Sequence, residues 1–211
     1  MKLRKGEIIS ILILAVFYAA VFYLMPIMPD KMISHWGISG QANGWMLKVP
    51  AMLIMPVLGT IIVFLFLVLT RLEPAKTGIE SFASAFDAFV NILLLFLVYI
   101  SGLMAAANLN VKFDMAAAFA PAFAGLLYAV SLIMERSKPN YIIGIRTKET
   151  LNDPEVWAKV HGKAGELFRY CALISLGGLF FPRLLVLFMV VPLFVTTVYL
   201  ASYAKKISKP L

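Results

Sequence analysis

The chain has 211 residues, of which 62% are hydrophobic and 14% are charged, and its formal net charge is +8. A soluble domain carries about 45–50% apolar and about 25% charged residues, so this composition excludes a single soluble core. It predicts an integral membrane protein of the cell membrane, whose basic excess marks cytoplasmic helix ends and does not indicate nucleic-acid binding. The single cysteine, Cys171, excludes an internal disulfide.

Six apolar segments predict an all-α membrane protein with six transmembrane helices, because about 20 consecutive apolar residues cross a bilayer. They are Glu7–Met28, Val49–Thr70, Ala85–Ala107, Met115–Met134, Leu167–Phe181 and Leu184–Ala204. The first follows a basic start without a small-residue cleavage site, so we expect an uncleaved span. The fifth segment is short, and we expect its helix to begin earlier, inside the polar loop that precedes it.

The loop between the first two spans, residues 29–49, is rich in glycine and aromatic residues. The dipeptide Asn43-Gly44 is a strong turn signal, so we expect a structured loop with sharp turns. Two interpretations of its aromatic residues are open. Trp36 and Trp45 fit the headgroup region that indoles prefer. Alternatively, His35, Trp36, Asn43, Gly44 and Trp45 form an extracytoplasmic recognition surface.

The third span carries a stripe of four polar residues, spaced by four, three and four positions. They are Glu80, Ser84, Asp87 and Asn91. This spacing places them on one helical face. A carboxylate inside a membrane is costly, so Asp87 should have a partner, and Arg169 at the start of the fifth span is the natural candidate. The stripe is either a structural ion-pair site or a path for protons or substrate.

The long polar segment of the chain, residues 138–165, separates the fourth and fifth spans. Within it, the run Asn152-Asp153-Pro154 predicts a helix start, with a capping Asn or Asp and Pro at the first helical position. From Pro154 onward an apolar face and a charged face alternate at helical spacing. The pattern predicts a cytoplasmic amphipathic helix that lies at the membrane surface before the fifth span.

Trp157 and His161 lie one turn apart on the apolar face of this helix. We expect the chain to turn into the fifth span around Gly162 or Gly165. In one interpretation Trp157 anchors the helix in the membrane interface and His161 caps that anchor. In the other, Arg146, Trp157 and His161 shape a cytoplasmic docking surface.

The distribution of Lys and Arg predicts the orientation, because cytoplasmic loops carry the excess of both. Fifteen of the 19 lie on the side of the two termini and the 138–165 segment, and four lie on the other side. Both termini are therefore expected in the cytoplasm. Three parts follow: 1–70 as a first helical hairpin, 71–137 as the third and fourth spans, and 138–211 as the polar loop, amphipathic helix and final hairpin.

Neither a metal site nor an enzyme is indicated. The two histidines, His35 and His161, fall on opposite sides of the predicted topology, and no cluster of Cys, His and carboxylates accompanies either, so we expect no metal and no cofactor. No nucleophile stands beside a base, and no Gly-Lys-Ser phosphate loop is present. A small transporter that uses Asp87 and Asn91 remains the alternative function.

The 138–165 segment resembles the signature of the SdpI family of membrane immunity proteins. The matching residues are Asn140, Gly144, Ile145, Arg146, Thr147, Thr150, Leu151, Trp157, His161 and Gly165. Lys148 stands where the family usually has Pro. The outward loop resembles the short module of unknown function that commonly precedes this signature, with Ser34 in place of a Pro. Its matching residues are Pro29, Asp30, His35, Trp36, Gly40, Asn43 and Gly44.

The resemblance implies a protein that protects its cell from a secreted antimicrobial peptide. The best-known member of the family also signals, by holding a cytoplasmic helix-turn-helix repressor at the membrane, and the resemblance implies the same role here. The implied partners are thus the lipid bilayer, the peptide toxin and the repressor. The residues expected to form the cytoplasmic partner site are Asn140, Gly144, Arg146, Thr147, Trp157 and His161. The outward loop is the expected place to meet the toxin.

Overall fold

The computed structural model describes residues 3–37, 40–72 and 75–208, without the side chains of residues 75–77. Lys2 and Lys209, which enter the charge count above, lie outside the described residues, and the side chain of Lys76 is not described. The helices are α1 (Lys5–Leu24), α2 (Lys48–Leu69), α3 (Ala75–Glu80), α4 (Ala83–Asn108), α5 (Met115–Arg136), α6 (Lys148–Asn152), α7 (Pro154–Ser175), α8 (Gly177–Phe180) and α9 (Leu185–Ile207). Two strands, β1 (Lys31–Trp36) and β2 (Ala42–Leu47), connect α1 to α2.

Five helical segments of the described chain are long and apolar enough to cross a membrane: Lys5–Ile27, Lys48–Leu69, Ala83–Asn108, Met115–Arg136 and Pro182–Ile207. They agree with five of the six expected spans. The expected fifth span falls on the second half of α7 and on α8, and α7 is not among these five segments. The charged residues spread along α7 from Glu155 to Arg169 account for this, so a sixth span stays a prediction.

Helix α7 begins at Pro154, which confirms that the helix of the fifth apolar segment starts earlier than its apolar residues. The expected turn around Gly162 or Gly165 is wrong, because α7 is continuous to Ser175. Gly165 instead allows α7 to approach α5: a Cβ there would lie 2.2 Å from Cγ of Glu135. The helix is interrupted further along, between Ser175 and α8.

The loop between α1 and α2 is a two-stranded antiparallel hairpin, which adds β structure to the helices of the described residues. The turn expected at Asn43-Gly44 is not there, because both residues lie within β2. Gly37 N–H donates to Gln41 O at 2.9 Å and closes the hairpin instead. Gly44 pairs with His35, and a Cβ on Gly44 would lie 2.8 Å from the His35 Cβ. The glycine therefore serves cross-strand packing.

The long helices form one bundle with two ends, because successive helices run in opposite directions. We call one end the basic end: α1, α4 and α7 begin there, and α2, α5 and α9 finish there. The other is the hairpin end, where α1 and α4 finish and α2, α5 and α9 begin. One buried apolar cluster, which includes Phe86, Leu94, Val160 and Leu200, links α4, α7 and α9. A second cluster, which includes Met32, packs the hairpin onto α1, α2 and α4.

Candidate functional sites at the two ends of the bundle

The loop between α5 and α7 folds over a buried aromatic pair at the basic end. Trp157 and His161 are each only 1% exposed. Their rings stack with centroids 3.9 Å apart and an angle of 11° between planes. The Trp157 indole N–H donates to the Ser137 carbonyl at 3.0 Å, which ties α7 to the end of α5. Neither ring is therefore available to a docking partner directly.

The His161 ring is held in one tautomer by two backbone groups. Its Nε2 accepts a hydrogen bond from Ile145 N–H at 3.0 Å, and its Nδ1 contacts Trp157 O at 2.9 Å. A carbonyl can only accept, so Nδ1 carries the proton and the ring is neutral. Burial lowers the pKa of His161 to about 4. Near pH 7 the neutral imidazole therefore links α7 to the loop through its hydrogen bond to Ile145.

Gly144 makes this contact between His161 and the loop possible. Its φ is +125°, a backbone conformation that side chains other than glycine rarely adopt. A Cβ at this position would lie 2.3 Å from Nε2 of His161 and 3.1 Å from Cη2 of Trp157. The glycine thus provides both the backbone conformation and the space that the histidine needs.

Asn140 organises the first half of the loop and is almost completely buried. Its Oδ1 accepts from the backbone N–H groups of Ile142 and Ile143 at 2.9 and 2.8 Å. Its Nδ2 donates to the carbonyls of Lys138 and Ile143 at 2.8 and 3.0 Å. All the hydrogen-bonding capacity of the amide is thus directed into its own loop, so Asn140 shapes the loop and does not face a partner.

Thr147 and Thr150 secure the second half of the loop. Thr147 is the N-cap of α6, and the fully buried Thr150 hydroxyl donates to Ile145 O at 2.7 Å. Tyr141 and Arg146 are exposed, as are Lys138 and Pro139 at the start of the loop, and the Arg146 guanidinium donates to Tyr141 O. Of the six residues expected at the cytoplasmic site, Arg146 is therefore the one with an exposed side chain. Sequence reasoning did not select Tyr141, since a lone aromatic residue gives no periodic signal.

Two residues of the predicted stripe, Asp87 and Asn91, bind the start of α1, whereas Glu80 lies in the separate helix α3 and Ser84 is exposed. The expected Asp87–Arg169 pair is wrong. Asp87 accepts from Arg4 at 2.6 Å (Nη2 to Oδ1) and 2.9 Å (Nε to Oδ2). Glu7, one turn into α1, is paired with Arg71 at 2.9 Å. Arg169 is paired with Glu135 of α5 at 2.5 Å. Arg169 is therefore engaged by α5, while Arg4 reaches Asp87 from α1.

Asn91 continues the same contact between α4 and α1. Its Oδ1 accepts from the Ser10 hydroxyl at 2.7 Å, and its Nδ2 donates to Gly6 O at 3.2 Å. Gly6 lies so close to α4 that a Cβ would be 2.3 Å from the Asp87 Cβ. The cavity beside these residues has a volume of about 10 Å³, enough for about one water molecule. Asp87 and Asn91 thus hold α1 and α4 together.

A much larger cavity, of about 600 Å³, lies beneath the hairpin at the other end. Its lining residues come from the hairpin and from α2, α4, α5 and α9: Ser34, His35, Trp36, Gly37, Gly40, Asn43, Met55, Ile100, Met104, Met115, Ala116, Phe119, Leu185, Val186 and Met189. Three of the five residues expected to form the recognition surface are thus in its wall. Gly44 and Trp45 are not, and Trp45 is 52% exposed.

One side-chain contact fixes the hairpin on the helices, and a second joins its two strands. Asn108 at the end of α4 accepts from Ile33 N–H at 2.7 Å and donates to Ile33 O at 2.9 Å. Its amide thus satisfies both backbone groups of Ile33 in β1. Across the strands, His35 Nδ1 donates to Asn43 Oδ1 at 2.5 Å. Within the described residues, no group of three or more His, Cys, Asp or Glu side chains could hold a metal ion.

The basic-end loop and the hairpin lie in segments that match known families, whereas the cavity walls from α4 and α5 lie outside both. Residues 136–203 match the SdpI/YfhL protein family, and residues 11–60 match a domain of unknown function, DUF1648. The chain is also similar to Immunity protein SdpI of Bacillus subtilis (strain 168), with 26% identity over 208 residues, 94% of this chain and 95% of that protein. No solved structure matches.

Proposed function

Since this chain is an SdpI-family protein with an N-terminal DUF1648 module, we propose that it is a membrane immunity protein that protects its cell from a secreted antimicrobial peptide. The observation that carries the proposal is the similarity to an immunity protein along 94% of the chain. It spans both the hairpin cavity and the basic-end loop, so neither site stands outside the related region. The apolar helices and the basic distribution support a multi-pass protein of the cell membrane with both termini in the cytoplasm.

The test is survival of a toxin-sensitive Bacillus subtilis strain that lacks its own immunity protein and is challenged with its secreted peptide toxin. Expression of this chain should raise the peptide concentration needed for half-killing. Membrane levels measured by blot control for expression. The empty vector sets the lower limit, and the Bacillus subtilis relative sets the upper limit. Normal membrane levels without any protection would refute the proposal.

A signalling role is the finer part of the proposal, with a cytoplasmic repressor held at the basic end. The support for it is the exposed pair Tyr141 and Arg146, on a loop that buried groups hold rigidly. Basic residues nearby, Lys138 and Lys148, give this surface a positive charge that suits an acidic protein face. Asp87 and Asn91 give no comparable support for a transporter, because their polar groups are engaged by α1.

Substitution at the exposed pair separates signalling from folding. A Tyr141→Ala, Arg146→Ala double variant should lose recruitment of a fluorescent repressor to the membrane and keep normal expression. Lys159→Ala, an exposed basic residue of α7, is the matched control and should recruit normally. Equal recruitment by the double variant and the control would contradict the assignment of this surface.

A further inference from the structure

The cavity beneath the hairpin is built jointly by the two family segments. Hairpin residues and Met55 come from the first segment, and Leu185, Val186 and Met189 come from the second. Residues of α4 and of the start of α5 form the rest of the cavity wall. Its volume of about 600 Å³ lies within the range of about 300–1,000 Å³ that is usual for ligand sites. A site that needs both segments explains why a hairpin module should accompany the SdpI helices.

The walls of this cavity are apolar and adaptable. Four methionines line it: Met55, Met104, Met115 and Met189, one from each of the helices α2, α4, α5 and α9. Methionine has a flexible, polarizable side chain and is common at surfaces that accommodate varied apolar partners. The cavity therefore suits apolar side chains better than it suits a polar metabolite.

The roof and the rim restrict the occupant further. Ser34, His35 and Asn43 bring hydroxyl, imidazole and amide groups to one side of the cavity, where an amide backbone can use them and an alkyl chain cannot. Lys112 and Arg183 are exposed just before α5 and α9, and neither has an ion-pair partner among the described residues. Two carboxylates lie at the same end: Asp114 caps α5 and offsets the positive end of that helix, and Asp30 is paired with Lys48. The described charges of this end, Lys31, Lys48, Lys112 and Arg183 against Asp30 and Asp114, leave an excess of two positive charges. The excess favours a neutral or anionic segment over a cationic one.

We infer that this cavity holds an apolar, uncharged or anionic segment of the secreted peptide that enters from the outer side of the membrane. The inference rests on the proposed immunity function and identifies its binding site. Protection then comes from sequestration of the toxin's apolar segment between the hairpin and α9. A bilayer lipid chain is the competing occupant, and the experiment below distinguishes it by mass.

The test places the same bulky side chain inside and outside the cavity. Val186 and Val191 are both on α9 and are 42% and 49% exposed, but only Val186 lines the cavity. Val186→Trp fills the cavity mouth and should lower the half-killing concentration of the Bacillus subtilis peptide toxin by about tenfold or more, the effect of losing one well-buried contact. Val191→Trp should protect as the unchanged protein does. Membrane levels and melting temperatures of both variants exclude misfolding as the cause.

A photo-crosslinking amino acid at each position then identifies the occupant. With the toxin added to membranes, a benzophenone at position 186 should give an adduct of the peptide's mass, and one at position 191 should not. If the unchanged protein protects but Val186→Trp protects equally, the cavity assignment falls and the immunity function stands. A lipid adduct at position 186 that toxin does not displace also overturns it. If the unchanged protein gives no protection, the proposed function fails and the inference fails with it.

Discussion

Replacement of Gly144 by alanine is the sharpest test of the basic-end loop. The added Cβ would lie 2.3 Å from Nε2 of His161, and the backbone φ of +125° strains any residue with a side chain. That strain costs about 1–3 kcal/mol. Movement of His161 away from the new methyl group breaks its bond to Ile145 N–H and leaves a buried acceptor unsatisfied, for a further about 1–3 kcal/mol. The expected loss is therefore about 2–6 kcal/mol.

The single cysteine of the chain provides the assay. Cys171 is buried within the bundle, so a dye that fluoresces on reaction with thiols reports unfolding as the protein is heated in detergent. One kcal/mol changes the melting temperature of a chain of this size by about 2–4 °C, so Gly144→Ala should lower it by at least about 4 °C. Any such variant that expresses should also recruit less repressor, because the loop loses its shape.

Gly125→Ala is the matched control for Gly144→Ala. Gly125 lies within α5, and a Cβ there would have no heavy atom within 4 Å. Alanine favours a helix over glycine by about 1 kcal/mol, so this variant should melt at the same temperature or slightly higher. If Gly144→Ala and Gly125→Ala have the same melting temperature, the hydrogen bond from Ile145 to His161 does not stabilise the loop.

Three further predictions follow from the same contacts. Burial lowers the pKa of His161 to about 4 from the ordinary 6.5, so its contribution to the free energy of unfolding is complete above pH 6.5 and is lost as the pH falls toward 4, by about 3 kcal/mol in all. Between about pH 7 and about pH 5, the melting temperature should therefore fall more for the unchanged protein than for His161→Gln. Parallel curves would contradict this. Asp87→Asn and Arg4→Gln should each cost about 1–3 kcal/mol, because Arg4 is partly exposed and is also paired with Glu7. The double variant should cost less than the sum of the two, and strictly additive melting shifts would mean that the two residues are not a pair. Gly165→Ala should destabilise α7 against α5, whereas Gly162→Ala, with open space around it, should not; the same melting assay compares them, and equal shifts would refute the close packing.

Local features of the chain could be predicted from the sequence because their causes are local. The start of α7 is one example: Asp153 caps it by accepting from two backbone N–H groups, and Pro154 occupies the first position, as those residue types require. The apolar face that carries Trp157 and His161 is another, since periodicity alone identifies a buried side of a helix. Five of the expected spans correspond to helices for the same reason.

Long-range choices could not be predicted in this way. Periodicity placed Asp87 on a buried face but gave no information on which helix lies opposite, and a basic residue 83 positions away is the partner. The turn signal of Asn43-Gly44 was overridden by the strand pairing with His35, in which glycine serves packing. The hairpin cavity left no signal in the sequence, because it is the space between helices whose individual patterns only show that they are apolar.

The pairing of the first helix also determines how this protein can be assembled as it is synthesised. Glu7 and Arg4 enter the membrane region with α1, but Arg71 follows Glu7 by 64 residues and Asp87 follows Arg4 by 83. In the emerging helix, Arg4 and Glu7 have only each other as ion-pair partners, at 2.8 Å in the folded chain, until α2 has been completed and α4 has begun to insert. Its amino-terminal end can settle only when α4 arrives beside it. The fourth helix thus acts as a late partner on which correct placement of the first depends, and a nascent chain that stops before Asp87 leaves Arg4 without its carboxylate on α4.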